Sequence, residues 1–249
     1  MSNFLQYDME MEKVKKLFNK KGVTFIVALF DSGHGEEYRY NFSSAEMESV
    51  YTQFLGWVLE EKTLGLVIKS KKPYILKTLP NIHPILKNAE ETGRCICLPF
   101  GYYPAVAAQV ADMVVGLSVS SAATEAVISG RRGIHYHSRF PENHEYYKLG
   151  HDKLVFTDLN KMMKALKEYK DNPASNPELG DWEPYFDFLD PFRDGRGGER
   201  MGMYFKWCLE GFDSGMNRYE IIKQANDRYA ARWGDDKIIK VENDAIKLV

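Results

Sequence analysis

The chain has 249 residues, of which 44% are hydrophobic and 27% are charged, which excludes a disordered or fibrous protein. Its 33 basic and 35 acidic residues give a formal net charge of −2, so nothing predicts nonspecific binding to nucleic acid or anionic lipid. Three cysteines cannot form a disulfide framework, the charged N-terminus lacks a signal-peptide core, and the apolar run at residues 23–30 is too short to span a bilayer. These features predict a cytoplasmic location, including the inner surface of the membrane.

Apolar runs typical of buried strands alternate with segments of helical periodicity along most of the chain. The predicted strands cover residues 23–30, 64–69, 94–98, 113–117, 133–137 and 153–156. The predicted helices cover residues 9–20, 45–61, 74–92, 104–111, 120–129 and 159–170. This alternation predicts an α/β fold, a single Rossmann-like three-layer domain with a mostly parallel sheet of about six strands.

Two local patterns refine these elements. Ser43 and Glu46 have the spacing of a capping box, which predicts that a helix begins after Ser43. Cys95 and Cys97 stand on the third predicted strand, and we expect them to point to opposite faces of the sheet.

The regular alternation ends near residue 170. Pro and Gly residues punctuate residues 171–200, and helices are predicted over 200–212 and 218–233. We therefore expect an N-terminal linker or helix at 1–22 and a Rossmann-like domain at 23–170. A loop with C-terminal helices at 171–249 would then pack on the same domain.

Polar residues beyond strand ends are candidate ligands, because open α/β sheets bind ligands beyond the carboxyl ends of their strands. The strongest candidate follows the fourth predicted strand, where Ser118, Ser120, Ser121 and Thr124 surround a helix start. Hydroxyls and main-chain N–H groups there can bind an anion, and Glu125, one turn in, can accept two ribose hydroxyls. The ordinary alternative is that one serine caps the helix and Glu125 interacts with its dipole.

Two more candidates follow the first two strands. Lys69 and Lys71 directly follow the second strand and could hold a phosphate as point charges, although a solvated basic turn is the commoner role of a single lysine. Asp31, Ser32 and His34 follow the first strand in a glycine-containing turn, which could equally be an ordinary strand-to-helix connection.

A fourth candidate contains Arg193 and Arg196 in the Gly-rich segment 190–200. Arginine side chains suit phosphate or carboxylate groups, and the alternative is a loop that docks through Arg–Asp pairs.

His135 and His137 share a strand face, but no Asp, Glu or Cys stands at a recognised metal-ligand spacing, so no metal site is expected. The Gly-x-Gly-x-x-Gly, Walker A and nucleophile-elbow patterns do not occur.

Residues 111–137, ADMVVGLSVSSAATEAVISGRRGIHYH, resemble the nucleotide-sugar-binding half of GT-B glycosyltransferases. The strand, the serine-rich turn, the helix bearing a Glu and the following strand carry this resemblance. It extends over about residues 23–240, and it is closest to bacterial surface- and capsule-polysaccharide transferases, including those like Kdo transferases and poly-glycerol-phosphate polymerases. The segment 190–195, DPFRDG, also resembles the C-terminal part of such proteins.

The resemblance implies that the chain binds the donor nucleotide of a glycosyltransferase that builds surface polysaccharide. Ser120 and Ser121 would bind the donor phosphate, Lys69 and Lys71 would add charge, and Glu125 would hold the ribose. The substrates would be a nucleotide-activated sugar and a glycan acceptor, with no separate cofactor and no metal.

The sequence departs from this family in two respects. Lys69-Ser70-Lys71-Lys72 stands where the family has Lys-x-His-Pro, and the His83-Pro84 pair comes 14 residues after Lys69, so the motif does not identify the nucleotide. A complete GT-B enzyme has two Rossmann-like domains, and only the C-terminal type is recognisable here. The acceptor side and the catalytic base would come from an N-terminal domain or a partner chain, and no catalytic residue is assigned.

Two alternatives belong to other functional classes. Nucleotide-sugar epimerases resemble GT-B enzymes and would also be expected to act on a UDP-sugar. A non-catalytic assembly module of a polysaccharide-synthesis complex would keep the fold but use the aromatic helix at residues 203–212 as an interface.

Overall fold

The computed structural model describes residues 2–37 and 41–235, and within them six strands form one sheet. The strands are β1 (Phe25–Phe30), β2 (Leu64–Lys69), β3 (Cys95–Cys97), β4 (Met113–Leu117), β5 (Arg132–Tyr136) and β6 (Val155–Phe156). Their order is β3-β2-β1-β4-β5-β6, and each neighbouring pair is parallel. The predicted α/β fold with a parallel sheet is confirmed, and the chain reverses direction across the sheet between β1 and β4, where such folds bind ligands.

Helices cover both faces of the sheet. They are α1 (Ser2–Asn19), α2 (Ser44–Glu60), α3 (His83–Glu91), α4 (Pro104–Val110), α5 (Ser121–Ile128), α6 (Glu145–Gly150), α7 (Leu159–Asp171) and α8 (Phe186–Leu189). The core on one face contains residues of α2, α3 and α7, and the core on the other face contains residues of α1, α4 and α5. This arrangement gives the predicted three layers.

The central strands are mostly apolar because both faces of the sheet are buried. In β1, Val27 and Leu29 pack in the core with α2, whereas Ala28 and Phe30 pack in the core with α4. All four side chains are at most 3% exposed. The continuous apolar run therefore identified the central strand correctly.

The two local expectations had different outcomes. The capping box is confirmed, because the Ser43 N–H donates to Glu46 at 2.7 Å and the Glu46 N–H donates to the Ser43 hydroxyl at 3.2 Å. The expectation that Cys95 and Cys97 face opposite sides was wrong, since both pack in the core with α2. Residues two apart on a strand share a face. Helix α6 was not predicted.

Residues 171–189 belong to the first compact unit, and the chain divides between Leu189 and Asp190. Trp182 is 2% exposed, and its indole N–H donates to the main-chain oxygen of Gly133 in β5 at 2.7 Å. This segment therefore packs on the sheet although it contains only short helical turns. None of the helices in residues 2–37 and 41–235 combines the length and apolar character of a membrane span.

The second unit contains α9 (Gly197–Asp213) and α10 (Arg218–Trp233). Its two helices pack through aromatic pairs, Tyr204 with Tyr229 and Trp207 with Trp233, whose ring centroids lie 6.3 and 5.8 Å apart. The two predicted C-terminal helices are thus present, and their packing on the α/β domain stays a prediction.

Candidate functional site

A cavity of about 440 Å³ opens at the carboxyl ends of β1, β2 and β4 in the first unit. It lies at the point where the strand order reverses, which is the expected ligand site of this fold. The lining residues come from these strand ends and the segments that follow them, from the loop after β3 and from the starts of α4 and α5: Phe30, Asp31, Ser32, Asn41, Lys69, Ser70, Lys71, Phe100, Tyr102, Pro104 and residues 117–122.

Residues 118–121, here called the serine loop, connect β4 to α5 along one wall of the cavity. Ser118 has a φ of 61°, a left-handed conformation that residues other than glycine rarely adopt. Its N–H donates to the Tyr136 oxygen at 2.7 Å, and its hydroxyl accepts from the Asn41 amide at 2.8 Å. These bonds hold a strained backbone in place beside the cavity.

The sequence allows this loop to fold closely over the sheet because residue 116 is a glycine. A Cβ atom at Gly116 would lie 2.7 Å from the Cβ atoms of both Ser120 and Ala123. Ser120 then caps α5, since its hydroxyl accepts the Ala123 N–H at 3.4 Å. Any side chain at position 116 would force the serine loop and the start of α5 away from β4.

Lys69 and Lys71 bring positive charge to the opposite wall. Lys69 is only 6% exposed, and its ammonium group donates to the Phe100 main-chain oxygen at 3.1 Å. Burial lowers the pKa of Lys69, and the charge of Asp31 opposes that change. Lys71 is exposed at the cavity and is the more accessible of the two cations.

Asp31 directly follows β1 and contacts the loop that carries Lys71. Its carboxylate accepts the Tyr51 hydroxyl at 2.6 Å and the Lys71 main-chain N–H at 2.6 Å. Burial raises the pKa of Asp31, and the bonds from Tyr51 and Lys71 oppose that increase. The carboxylate thus fixes the conformation of the loop that carries Lys71.

The structure brings seven of the twelve predicted site residues together around the cavity: Asp31, Ser32, Lys69, Lys71, Ser118, Ser120 and Ser121. His34 follows the same strand as Asp31 but contacts the hydroxyls of Ser44 at 3.3 Å and Thr78 at 3.0 Å. His34 therefore links the connection after β1 to the start of α2 and to the segment after β2, and it is not among the lining residues.

Four predicted residues lie elsewhere. The Thr124 hydroxyl donates to the Ser120 oxygen at 3.1 Å, and Glu125 is exposed on α5, four residues after Ser121. Neither lines the cavity. Arg193 and Arg196 belong to the second unit, where Arg196 pairs with Glu199 at 2.7 Å. The ligand roles expected of these four residues stay predictions.

Sequence reasoning missed several lining residues. Phe100 and Tyr102 lie in the loop after β3, so the same strand-end rule that selected Lys69 would also have selected them. Asn41 approaches the cavity from the connection between β1 and α2. No pattern around Asn41 predicts that its side chain would contact Ser118.

His135 in β5 and His137, which directly follows that strand, are buried, at 0% and 9% exposure. In the part of the chain that the structure describes, no cluster of three His, Cys, Asp or Glu side chains has the arrangement of a metal site. The cavity instead combines two lysines, several hydroxyls and main-chain N–H groups at a helix start. That combination is suited to an anion, above all a phosphate group.

Comparison with known proteins gives no match to a family model and no match to a curated protein. Among solved structures, the S. aureus MnaA–UDP co-structure has a TM-score of 0.51 and 16% sequence identity over 79% of this chain. The C-terminal domain of LpcC, a group 1 family glycosyl transferase of Francisella tularensis, has a TM-score of 0.48 and 11% identity, covering 70% of this chain and 91% of that one.

The wall teichoic acid polymerase TagF has a TM-score of 0.42 and 10% identity, over 87% of this chain and 48% of that one. This chain covers 48% of the MnaA chain, so it spans about half of that protein's length. The similarity to MnaA concerns the fold, and it places the six-stranded α/β unit described above among Rossmann-like domains of this architecture.

Proposed function

We propose that the first unit binds the diphosphate of a nucleotide-activated sugar and serves as the donor half of a GT-B-type glycosyltransferase in surface polysaccharide synthesis. The observation that carries this proposal is the cavity where the serine loop faces Lys69 and Lys71. The nucleotide would lie beyond β4, with its phosphates between the serine loop and the two lysines.

The charges of the cavity support a phosphate ligand. Lys69 and Lys71 contribute two positive charges, and Asp31 contributes one negative charge that is engaged by Tyr51 and Lys71. The start of α5 adds a favourable dipole and the hydroxyls of Ser120 and Ser121. Negative charge on the leaving phosphate grows as the glycosidic bond breaks, so fixed donors of this kind would stabilise the transition state.

The proposed reaction also needs an acceptor side. In the proposal, an N-terminal GT-B domain or a partner chain binds the glycan acceptor and supplies the catalytic base. The role of this chain is to bind the donor and stabilise the leaving group. UDP is the first nucleotide to test, because it is the ligand named with the MnaA structure.

Calorimetry with CMP, CDP, UDP and GDP tests the proposal. One of them should bind, and Lys71→Gln should weaken binding about tenfold, the usual effect of losing one hydrogen bond to a charged group. Lys72→Gln is the matched control, because it removes the same charge from the neighbouring residue, which does not line the cavity. If the folded chain binds none of the four nucleotides, the proposal is contradicted.

A second candidate function, an assembly module, is favoured by the surface of α9. Its apolar side chains Met201, Phe205, Leu209 and Phe212 are 59–71% exposed. Their spacing of four, four and three residues places them on one side of the helix. Helix α10 does not cover this side, and exposed apolar patches mark interaction surfaces.

Sedimentation velocity of the full chain distinguishes this candidate. If α9 is an interface between copies, the protein associates, and replacing Phe205 and Leu209 together with Glu restores the monomer. Lys206→Glu is the control, because it introduces an acidic side chain at an exposed polar position of the same helix. A monomer at all concentrations would count against self-assembly through α9.

A further inference from the structure

We infer that His135 is a positioning residue for the proposed phosphate site, where its ring holds the serine loop in its binding conformation. The inference rests on the proposed function, because it assigns that loop to phosphate. It concerns a residue of β5 that lies beneath the cavity wall and is not among the lining residues.

The polar contacts of His135 with the serine loop are made by one ring atom. Its Nδ1 lies 3.1 Å from the Ser118 main-chain oxygen and 3.4 Å from the Ser120 main-chain nitrogen. A single ring nitrogen thus lies against the backbone on both sides of Val119. The Ser118 carbonyl can only accept a hydrogen bond and the Ser120 N–H can only donate one, so Nδ1 bonds one of the two in a given tautomer. We assign the hydrogen to Nδ1, which then donates to Ser118, because that contact is the shorter one.

His135 holds the serine loop as a neutral side chain. The residue is fully buried, and burial lowers the pKa of His135 to about 4, while its bond to Ser118 opposes that decrease. At neutral pH the ring therefore adds no positive charge to the phosphate site. Its effect on ligand binding must come from the position of the loop.

Packing around the ring fixes its orientation. His135 lies 5.3 Å from the Tyr146 ring and 5.8 Å from the Trp182 ring between centroids, and Trp182 is itself bonded to Gly133. The other ring nitrogen, Nε2, is buried without a hydrogen-bond partner in the described structure. Nδ1 is therefore the ring nitrogen through which His135 bonds the chain.

The strain at Ser118 explains why the loop needs such a contact. Ser118 has a φ of 61° and is not a glycine, so its left-handed conformation persists only where several bonds determine it. The Ser118 oxygen bonds His135, its N–H bonds Tyr136, and its hydroxyl bonds Asn41. Removing the bond to His135 should let the serine loop relax away from the phosphate position.

Two substitutions of His135 separate positioning from simple packing. In His135→Asn the side-chain amide occupies the place of Nδ1 and can donate to the Ser118 oxygen. In His135→Gln the amide occupies the place of Nε2, and the bond to Ser118 is lost although more of the ring volume is kept. Packing alone therefore predicts that Asn is the worse replacement, and positioning predicts that Gln is.

Amide hydrogen exchange of residues 118–121, measured without ligand, is the first readout. His135→Gln should accelerate exchange in the serine loop about tenfold relative to the amides of β1, and His135→Asn should stay within about threefold of the unaltered protein. Equal protection in the unaltered protein and His135→Gln would overturn the inference. A larger effect of Asn than of Gln would also overturn it.

UDP affinity is the second readout, and it separates the two proposals. If the unaltered protein binds UDP, His135→Gln should bind about tenfold more weakly and His135→Asn should recover most of that loss. If the unaltered protein binds UDP and both variants bind it equally well, the inference about His135 fails and the proposed function stands. If no nucleotide binds while the exchange results are as expected, the proposed function fails and the positioning of the loop stands.

Discussion

The carboxylate of Asp31 accepts the main-chain N–H of Lys71 at 2.6 Å. The bond joins the residue after β1 to the loop after β2, two neighbouring parallel strands whose ends form the floor of the cavity. It places an acidic side chain inside a site proposed for phosphate, and it gives that side chain a structural task. Asp31 orients the loop that carries Lys71. Protonation of its carboxylate should also make the stability of the protein depend on pH.

The stability of the protein should depend on pH through Asp31. Burial raises the pKa of Asp31 above its ordinary value of 3.8, so the folded state binds the proton more tightly than the unfolded chain does. The unaltered protein should therefore be most stable relative to Asp31→Asn below pH 3.8. It should lose that advantage as the pH rises through the raised pKa. Urea unfolding of both proteins across this range measures the difference.

The comparison for this experiment is Glu61→Gln, because hydrogen bonds from Thr63 lower the pKa of Glu61 to about 2 and Glu61 does not line the cavity. The unaltered protein should gain stability relative to Glu61→Gln as the pH rises from about 2 to 4.5, which is the opposite of the dependence expected for Asp31. If the advantage over Asp31→Asn increased as the pH rose above 3.8, Asp31 would be stabilised as a charged group, and the account of its burial would be wrong.

Replacing Ser120 or Ser121 with alanine should affect the stability of the protein differently, but both substitutions should weaken nucleotide binding. Ser120→Ala removes the cap of α5 and should lower the free energy of unfolding by about 0.5–1 kcal/mol, near the lower end for caps because its bond is long. Ser121→Ala changes an exposed residue and should alter stability by less than about 0.5 kcal/mol. Both should weaken UDP binding, as calorimetry and chemical denaturation would show.

Ser121→Asp provides a control of opposite sign. A carboxylate at the first residue of α5 favours the helix dipole and should leave stability unchanged or raised. The same charge repels a phosphate, so UDP affinity should fall by at least about tenfold. Tight UDP binding by Ser121→Asp would show that the nucleotide lies elsewhere.

The sequence predicted the elements better than their arrangement. Strand β2 has the predicted limits of 64–69, because its apolar run ends at a lysine cluster with a proline. The order of the strands could not be predicted in the same way. Side-chain periodicity records which face of a strand is buried, and it contains no information about which strand lies beside it.

In the candidate site, too, individual residues could be predicted from the sequence, but their arrangement around the cavity could not. Asp31 and His34 follow the same strand three residues apart, and only Asp31 lines the cavity. The path of the chain beyond β1 decides this, and that path depends on the bonds of His34 to Ser44 and Thr78. Likewise, the sequence predicts no ligand role for His135, and its bond to Ser118 depends on the pairing of β4 with β5.

Glu125 allows a test of the ribose position. It is exposed on α5 and lies one turn beyond Ser121 on the same side of the helix. If its carboxylate accepts the ribose hydroxyls, Glu125→Gln should weaken nucleotide binding by about tenfold to a hundredfold and leave folding intact. Calorimetry with UDP and with its 2′,3′-dideoxy form measures this.

The dideoxy nucleotide is the internal control for Glu125. It lacks the partner hydroxyls, so the unaltered protein and Glu125→Gln should bind it almost equally. Equal affinity of the unaltered protein for the ribose and dideoxy forms would show that Glu125 is not the ribose ligand. The nucleotide would then not lie along β4 as proposed.

An NMR titration of the isotopically labelled chain with UDP tests the central proposal most directly. The account predicts that amide signals of the serine loop and of residues 69–71 shift together with one dissociation constant. Signals at the opposite, amino ends of the strands should not move. Absence of any shift at high UDP concentration, or shifts confined to residues outside the cavity, would contradict the proposal that this cavity binds a nucleotide diphosphate.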